Sequence, residues 1–155
     1  MRHLKIRPLT TERVTQAFPL IQTALPAVTL AAWRAFAATL IAGGAARNSG
    51  ILAVTDERNY IAGLCSYRVV PDLVHGRLLD AGHFLAFDLI DRRPVAEALA
   101  VGIEAMARDR GCSAVHTQLP RRHDTLSEPG DGLGEMFAAR GHRVEILGLC
   151  KRLAA

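Results

Sequence analysis

The stretch from Ile90 to Cys112, IDRRPVAEALAVGIEAMARDRGC, reads as a helix with both of its ends marked. Val95, Ala98, Leu99, Gly102, Ile103 and Met106 recur at the spacing of one helical face, while Glu97, Glu104, Arg108 and Asp109 fall elsewhere. Pro94 suits a first turn, where amide hydrogens have no intrahelical acceptor, and Asp91 is the expected N-cap. Gly111, following Arg108 and Arg110, is the expected stop.

The runs on either side, HFLAFDLI before and SAVHTQLP after, make a strand, helix, strand unit. The start of such a helix holds anions, because its unpaired amides and the positive end of its dipole face the ligand; Arg92 and Arg93 add two cations. The plainer reading is that these arginines are solvated charge at an ordinary helix start.

Working outward, His3 to Pro8 alternates as a half-buried first strand. Thr10 or Thr11 begins a helix with Val14, Phe18, Ile21 and Leu25 on one stripe, and Pro19 predicts a kink or break in it. Thr29 caps a second helix carrying Leu30, Trp33, Ala37, Leu40 and Ile41, which Gly43-Gly44 ends. Gly50–Thr55 and Tyr60–Val70 form a hairpin across DERN, with Pro71 ending its second arm and Arg77–Leu89 supplying a third strand. Pro120 onwards has the composition of an exposed loop, Glu135–Arg140 is a short helix stopped by Gly141, and Arg143–Leu149 is a last strand. The fold class is therefore α/β (α+β), a mixed, mostly antiparallel sheet with helices on both faces. A ligand crevice is expected where the parallel strands diverge beside the main helix start.

The 155 residues, half of them apolar, suit one domain over 1–155. No apolar stretch is long enough to span a bilayer and the N-terminus lacks a secretion signal, so a cytoplasmic protein with no membrane partner is expected. Cys65, Cys112 and Cys150 each lie alone in apolar runs, which fits buried reduced thiols and no metal site. A net charge of +4 spread over many arginines, with two tyrosines and one tryptophan, argues against a nucleic-acid partner. It suits a polyphosphorylated small molecule, or solubility alone.

The element order, the Ile90–Cys112 segment and the late MFAARGHRV resemble the GNAT superfamily of N-acetyltransferases over nearly the whole chain. In that family a loop of pattern [Arg/Gln]-x-x-Gly-x-[Gly/Ala] cradles the pyrophosphate of acetyl-coenzyme A, and the helix after it ends much as Ala107 to Cys112 does here. Counted without a gap, the loop is Asp91 to Ala96: Asp91 replaces the basic residue, Pro94 replaces the first glycine, and Ala96 conforms. In a register one residue shorter Arg92 leads, and Pro94 still stands where glycine belongs. Proline offers no amide hydrogen to a phosphate.

The resemblance implies acetyl-coenzyme A as cosubstrate, a small-molecule or peptide amine as acceptor, and a homodimer. It implies that the strand at Phe84, Leu85 and Ala86 bonds the pantetheine arm and that the turn with Arg92, Arg93, Val95, Ala96 and Glu97 holds the pyrophosphate. The family's usual carboxylate base falls near Gly82, leaving His83 and Asp80 as candidate catalytic residues; His83 has the more suitable intrinsic pKa. Each also has a structural reading, as a packed or surface side chain. Phe137 stands where the family often has a tyrosine acid, and His142 where an aromatic usually follows the glycine. His75, His116, His123 and Arg121-Arg122 are read as packed or surface residues, with the arginines near enough in topology to reach a coenzyme's phosphates. Trp33 is read as core before acceptor contact. Three functions remain in play: an acyltransferase acting by direct attack, a coenzyme-binding or regulatory module without chemistry, favoured by Pro94 and Phe137, and a partner-binding protein with an empty crevice.

Overall fold

Strands β1 (Lys5–Pro8), β2 (Ser49–Thr55), β3 (Ile61–Asp72), β4 (Gly76–Ala86) and β5 (Ala114–Thr117) form one sheet in chain order. Neighbours are antiparallel except β4 and β5, which run parallel. A computed structural model describes residues 3–42, 48–119, 132–146 and 148–153, and the chain divides into two compact units, Met1–Thr125 and Leu126–Ala155. The sheet lies in the first. Gly43-Gly44 and the segment from Pro120 that includes Arg121, Arg122 and His123 lie outside the described residues.

One face of the sheet is covered by α1 (Phe18–Ala24) and α2 (Leu30–Ile41). Pro19 does break the first helical stretch: Thr11–Arg13 and Thr15–Ala17 are single 3₁₀ turns, and α1 begins with the proline in its first turn, where its missing amide costs nothing. Thr29 caps α2 by accepting from the Ala32 amide at 3.1 Å. Trp33 is buried with its indole N–H donating 2.7 Å to the Val14 carbonyl, which ties α2 to the 3₁₀ turns.

The opposite face carries α3 (Arg93–Asp109), closed by Gly111 at φ 68, with the Cys112 amide donating to Ala107 and the Gly111 amide to Arg108. Its buried face is Val95, Ala96, Leu99, Ala100, Ile103 and Ala107, rotated from the predicted stripe: Ala98 and Met106 are only half-buried. Small residues set the closest approach. A Cβ on Gly102 would lie 2.8 Å from Ile6 and Leu52, and one on Gly63 would lie 2.6 Å from Val95 and 3.0 Å from the Leu85 carbonyl oxygen.

Three further expectations need correction. Asp91 is not the N-cap; Arg92 is, and Asp91 instead accepts from the Arg93 amide two residues on, as an aspartate in a turn does. Pro71 does not end β3, which pairs on to Asp72 opposite Gly76. The β2 ladder stops at Arg68, so no partner on that side needs the missing amide. Arg143–Leu149 contains no strand among its described residues, although Val144 and Ile146 alternate; both are exposed, and alternation makes a strand only where a ladder receives it. In the second unit α4 (Leu133–Ala139) is capped by Gly141 at φ 88.

Of the cysteines only Cys65 is fully buried; Cys112 is half-buried and Cys150 exposed. Burial pushes the Cys65 thiol up to about 12 from an ordinary value of 9.0. The unfolded thiol ionises first, so the stability linked to this group is whole below about pH 9 and is lost as pH rises toward 12. In the folded protein at pH 8, an aromatic disulfide reagent should label Cys150 and leave Cys65 untouched until denaturant is added. Rapid labelling of Cys65 in the native state would contradict its place in the core.

Candidate active site

The ladder between β4 and β5 runs from Leu78 opposite Ala114 to Ala81 opposite Thr117, closing with a Gln118 amide to Ala81 carbonyl bond of 2.8 Å. There it stops, while β4 continues to Ala86. On its other side β4 changes register against β3 at the same place, from Ser66 opposite Gly82 to Leu64 opposite Leu85. His83 and Phe84 therefore share the position opposite Cys65, a bulge, and His83 sits at φ 49. A left-handed residue without the freedom of glycine is uncommon and costs on the order of 1 kcal/mol or more. The parallel pairing thus ends at Ala81, five residues before β4 does.

The bulge turns His83 toward the α1 and α2 face. Its Nδ1 lies 2.9 Å from Ser66 Oγ, and its ring meets that of Phe36 edge to face at 4.9 Å between centroids. His83 is exposed rather than buried, at the edge of a cavity of about 230 Å³ between α1, α2 and the sheet. Ile51 and Leu64 line the cavity from the sheet, Trp33 and Phe36 from α2, and Leu25 and Ala32 stand partly in solvent. Asp80 is not among the lining residues. It is half-buried opposite Arg68 and His116 in the sheet, with Gln118 Nε2 at 3.4 Å from its Oδ1. Of the two candidate bases, only His83 meets the cavity.

The turn after β4 is already supplied with negative charge. Asp88 Oδ1 accepts the amides of Ile90 at 2.8 Å and Asp91 at 3.4 Å, and Asp91 Oδ1 accepts that of Arg93 at 2.9 Å. Pro94 has no amide to offer. Of the amides around this turn, those of Ile90, Asp91 and Arg93 are thus already bonded to the chain's own carboxylates. The cations present are Arg92, half-buried at the helix cap, and Arg93, exposed and 3.7 Å from Glu97 in a surface pair of small worth. Phe84, Leu85, Val95 and Ala96 have buried side chains, so only their backbones could reach a ligand. Ala86 is half-buried at the strand end.

His75, in the turn between β3 and β4, and His116 of β5 face each other at 5.8 Å between ring centroids, beyond the cavity's lining. In the second unit the Phe137 ring meets His142 at 5.0 Å. Ser66 is the site residue the sequence reading missed. The signal was a hydroxyl in the otherwise apolar run LCSY of a central strand, where a buried polar group needs a partner.

No protein-family profile matches this chain, and no curated protein does. Its fold is nevertheless that of the GNAT N-acetyltransferases. An aminoglycoside N-acetyltransferase solved with coenzyme A aligns over 100% of this chain and 97% of its own, with TM-score 0.75 and 14% identity. A transcriptional regulator from Bacillus halodurans aligns over 97% and 100%, with TM-score 0.75 and 14% identity. A ribosomal-protein-alanine N-acetyltransferase from Brucella melitensis biovar Abortus aligns over 97% and 100%, with TM-score 0.72 and 15% identity.

The strain at His83 has a direct check. Asparagine tolerates the left-handed region and a β-branched side chain does not, so His83→Asn should unfold in urea close to the parent while His83→Val loses about 1–2 kcal/mol. Equal stability of the two variants would remove the bulge geometry from the account.

Proposed function

We propose that the protein is an acyl-coenzyme A dependent N-acyltransferase acting on a primary amine by direct attack. The carrying observation is the end of the parallel ladder at Ala81, just where the bulge aims His83 into an apolar cavity. The shared fold supports the same reading, since two of the proteins compared above are N-acetyltransferases. A coenzyme A thioester supplies the acyl group, an electrophilic carbonyl with a thiolate leaving group. The backbone from Phe84 to Ala86 lines the opened edge of β4 and would hold the pantetheine arm by hydrogen bonds, leaving the reacting carbonyl beside the bulge.

His83 is the base in this reading. If its Nδ1–H donates to Ser66 Oγ, Nε2 keeps its lone pair and faces the substrate. The amine nitrogen forms the new C–N bond as Nε2 takes its proton. The C–S bond then breaks, and the imidazolium returns the proton to the departing sulfur. Phe137 has no proton to give, so a single histidine working in both directions removes the need for a separate acid.

The phosphates are the weak point of the design. With the amides of Ile90, Asp91 and Arg93 engaged by Asp88 and Asp91, more of the phosphate contact would fall to the Arg92 and Arg93 side chains. Such binding is exposed and screened by salt. The same feature favours a second reading, a coenzyme-sensing module that has lost transfer.

Calorimetry with acetyl-coenzyme A should detect binding at millimolar ligand and a marked loss of affinity between low and high salt; no heat at any salt would defeat the proposal. Pro94→Gly, which restores an amide to the helix start, should tighten binding by roughly tenfold. His83→Asn should lower turnover of an accepted amine by roughly a hundredfold while leaving coenzyme binding intact. Coenzyme binding without thiol release from any amine would favour the sensing module.

A further inference from the structure

We infer that the acceptor is a monoamine with an uncharged apolar body, an aryl or branched alkyl group, and that the cavity between α1, α2 and the sheet receives that body. The inference rests on the transferase reading for its chemistry and on the cavity alone for its ligand class.

Size comes first. A dry protein cavity of about 150 Å³ holds a benzene molecule. The cavity here, at about 230 Å³, has room for a ring and a short tether. Polarity follows. Ser66 and His83, bonded to each other, are the remaining polar side chains of the lining, since the Trp33 indole N–H is spent on the Val14 carbonyl. Among the described residues no lining side chain is acidic. A second ammonium group carried into the cavity would lose its hydration with no carboxylate to replace it. Polyamines and polycationic sugars are therefore disfavoured, whereas a single amino group can stay at the exposed His83 end while the apolar body goes inward.

Access is compatible with that orientation. Ile51, Leu64 and Trp33 are almost completely buried and form the floor, while Leu25, Ala32 and His83 are exposed at the edge. The amine would thus be presented beside the imidazole, on the side of β4 that passes the opened strand edge.

Trp33 is the chain's one tryptophan and forms part of the wall, so its emission reports occupancy without any coenzyme present. Titration with 2-phenylethylamine should shift that emission saturably, and spermidine should leave it unchanged. Ala32→Phe, which fills the mouth from an exposed position, should weaken the 2-phenylethylamine response at least tenfold with the melting temperature retained. Thiol release from acetyl-coenzyme A is followed separately. A saturable shift without thiol release keeps the ligand class and overturns the transferase reading. Turnover of spermidine with no response to 2-phenylethylamine keeps the transferase and overturns this inference. A Trp33 response to octanoyl-coenzyme A but to no amine also overturns it, since the cavity would then be taking an acyl tail.

Discussion

The bulge at His83 and Phe84 is the constraint on which the rest of the site depends. A regular β4 would keep one residue opposite one residue along β3, and the position after Gly82 would point away from the α1 and α2 face. Two residues opposite Cys65 reset the alternation, so that Gly82, His83 and Leu85 all serve the side where Ser66, Phe36 and the cavity lie. The reset occurs just beyond the last β5 pairing, so β4 continues against β3 alone. Backbone strain at one histidine is the local cost of this arrangement, and the packing of Phe84 and Leu85 into the core on either side holds it in place.

Electrostatics pull against the fold at the adjacent turn. A strand running into a helix start is a natural anion site, yet the amides of Ile90, Asp91 and Arg93 are bonded to the chain's own carboxylates and Pro94 contributes none. The turn is thereby stable without a ligand. Asp88 and Asp91 thus occupy three amides that a helix start would otherwise offer to an anion. The cavity on the other side of β4 shows no such conflict, since its apolar lining asks only for an apolar guest.

Much of the scaffold was legible from periodicity and capping. Thr29 with the stripe through Trp33, the break at Pro19, the DERN hairpin and Gly111 as the stop of α3 are local signals, each requiring only a few neighbouring residues to be read. Asp91 was legible as a capping residue but not as which cap, because aspartate serves a turn two residues on as readily as a helix start. His83 and Asp80 were both visible as candidate bases. Choosing between them required the register of three strands.

The sequence by itself determined the order of elements from β1 to α4, the two faces of the sheet and the loss of an amide at Pro94, because caps, turns and hydrophobic periods act over one to two turns of chain. Tertiary structure alone decided that Ser66 meets His83 across a bulge, that α3 is rotated so that Ala96, Ala100 and Ala107 are buried beside Val95, Leu99 and Ile103, and that Arg143–Leu149 gains no ladder among its described residues. Those outcomes depend on which strand lies beside which and in what register. Residues such as Ser66 and His83, 17 positions apart, acquire their relation only when β3 and β4 have paired.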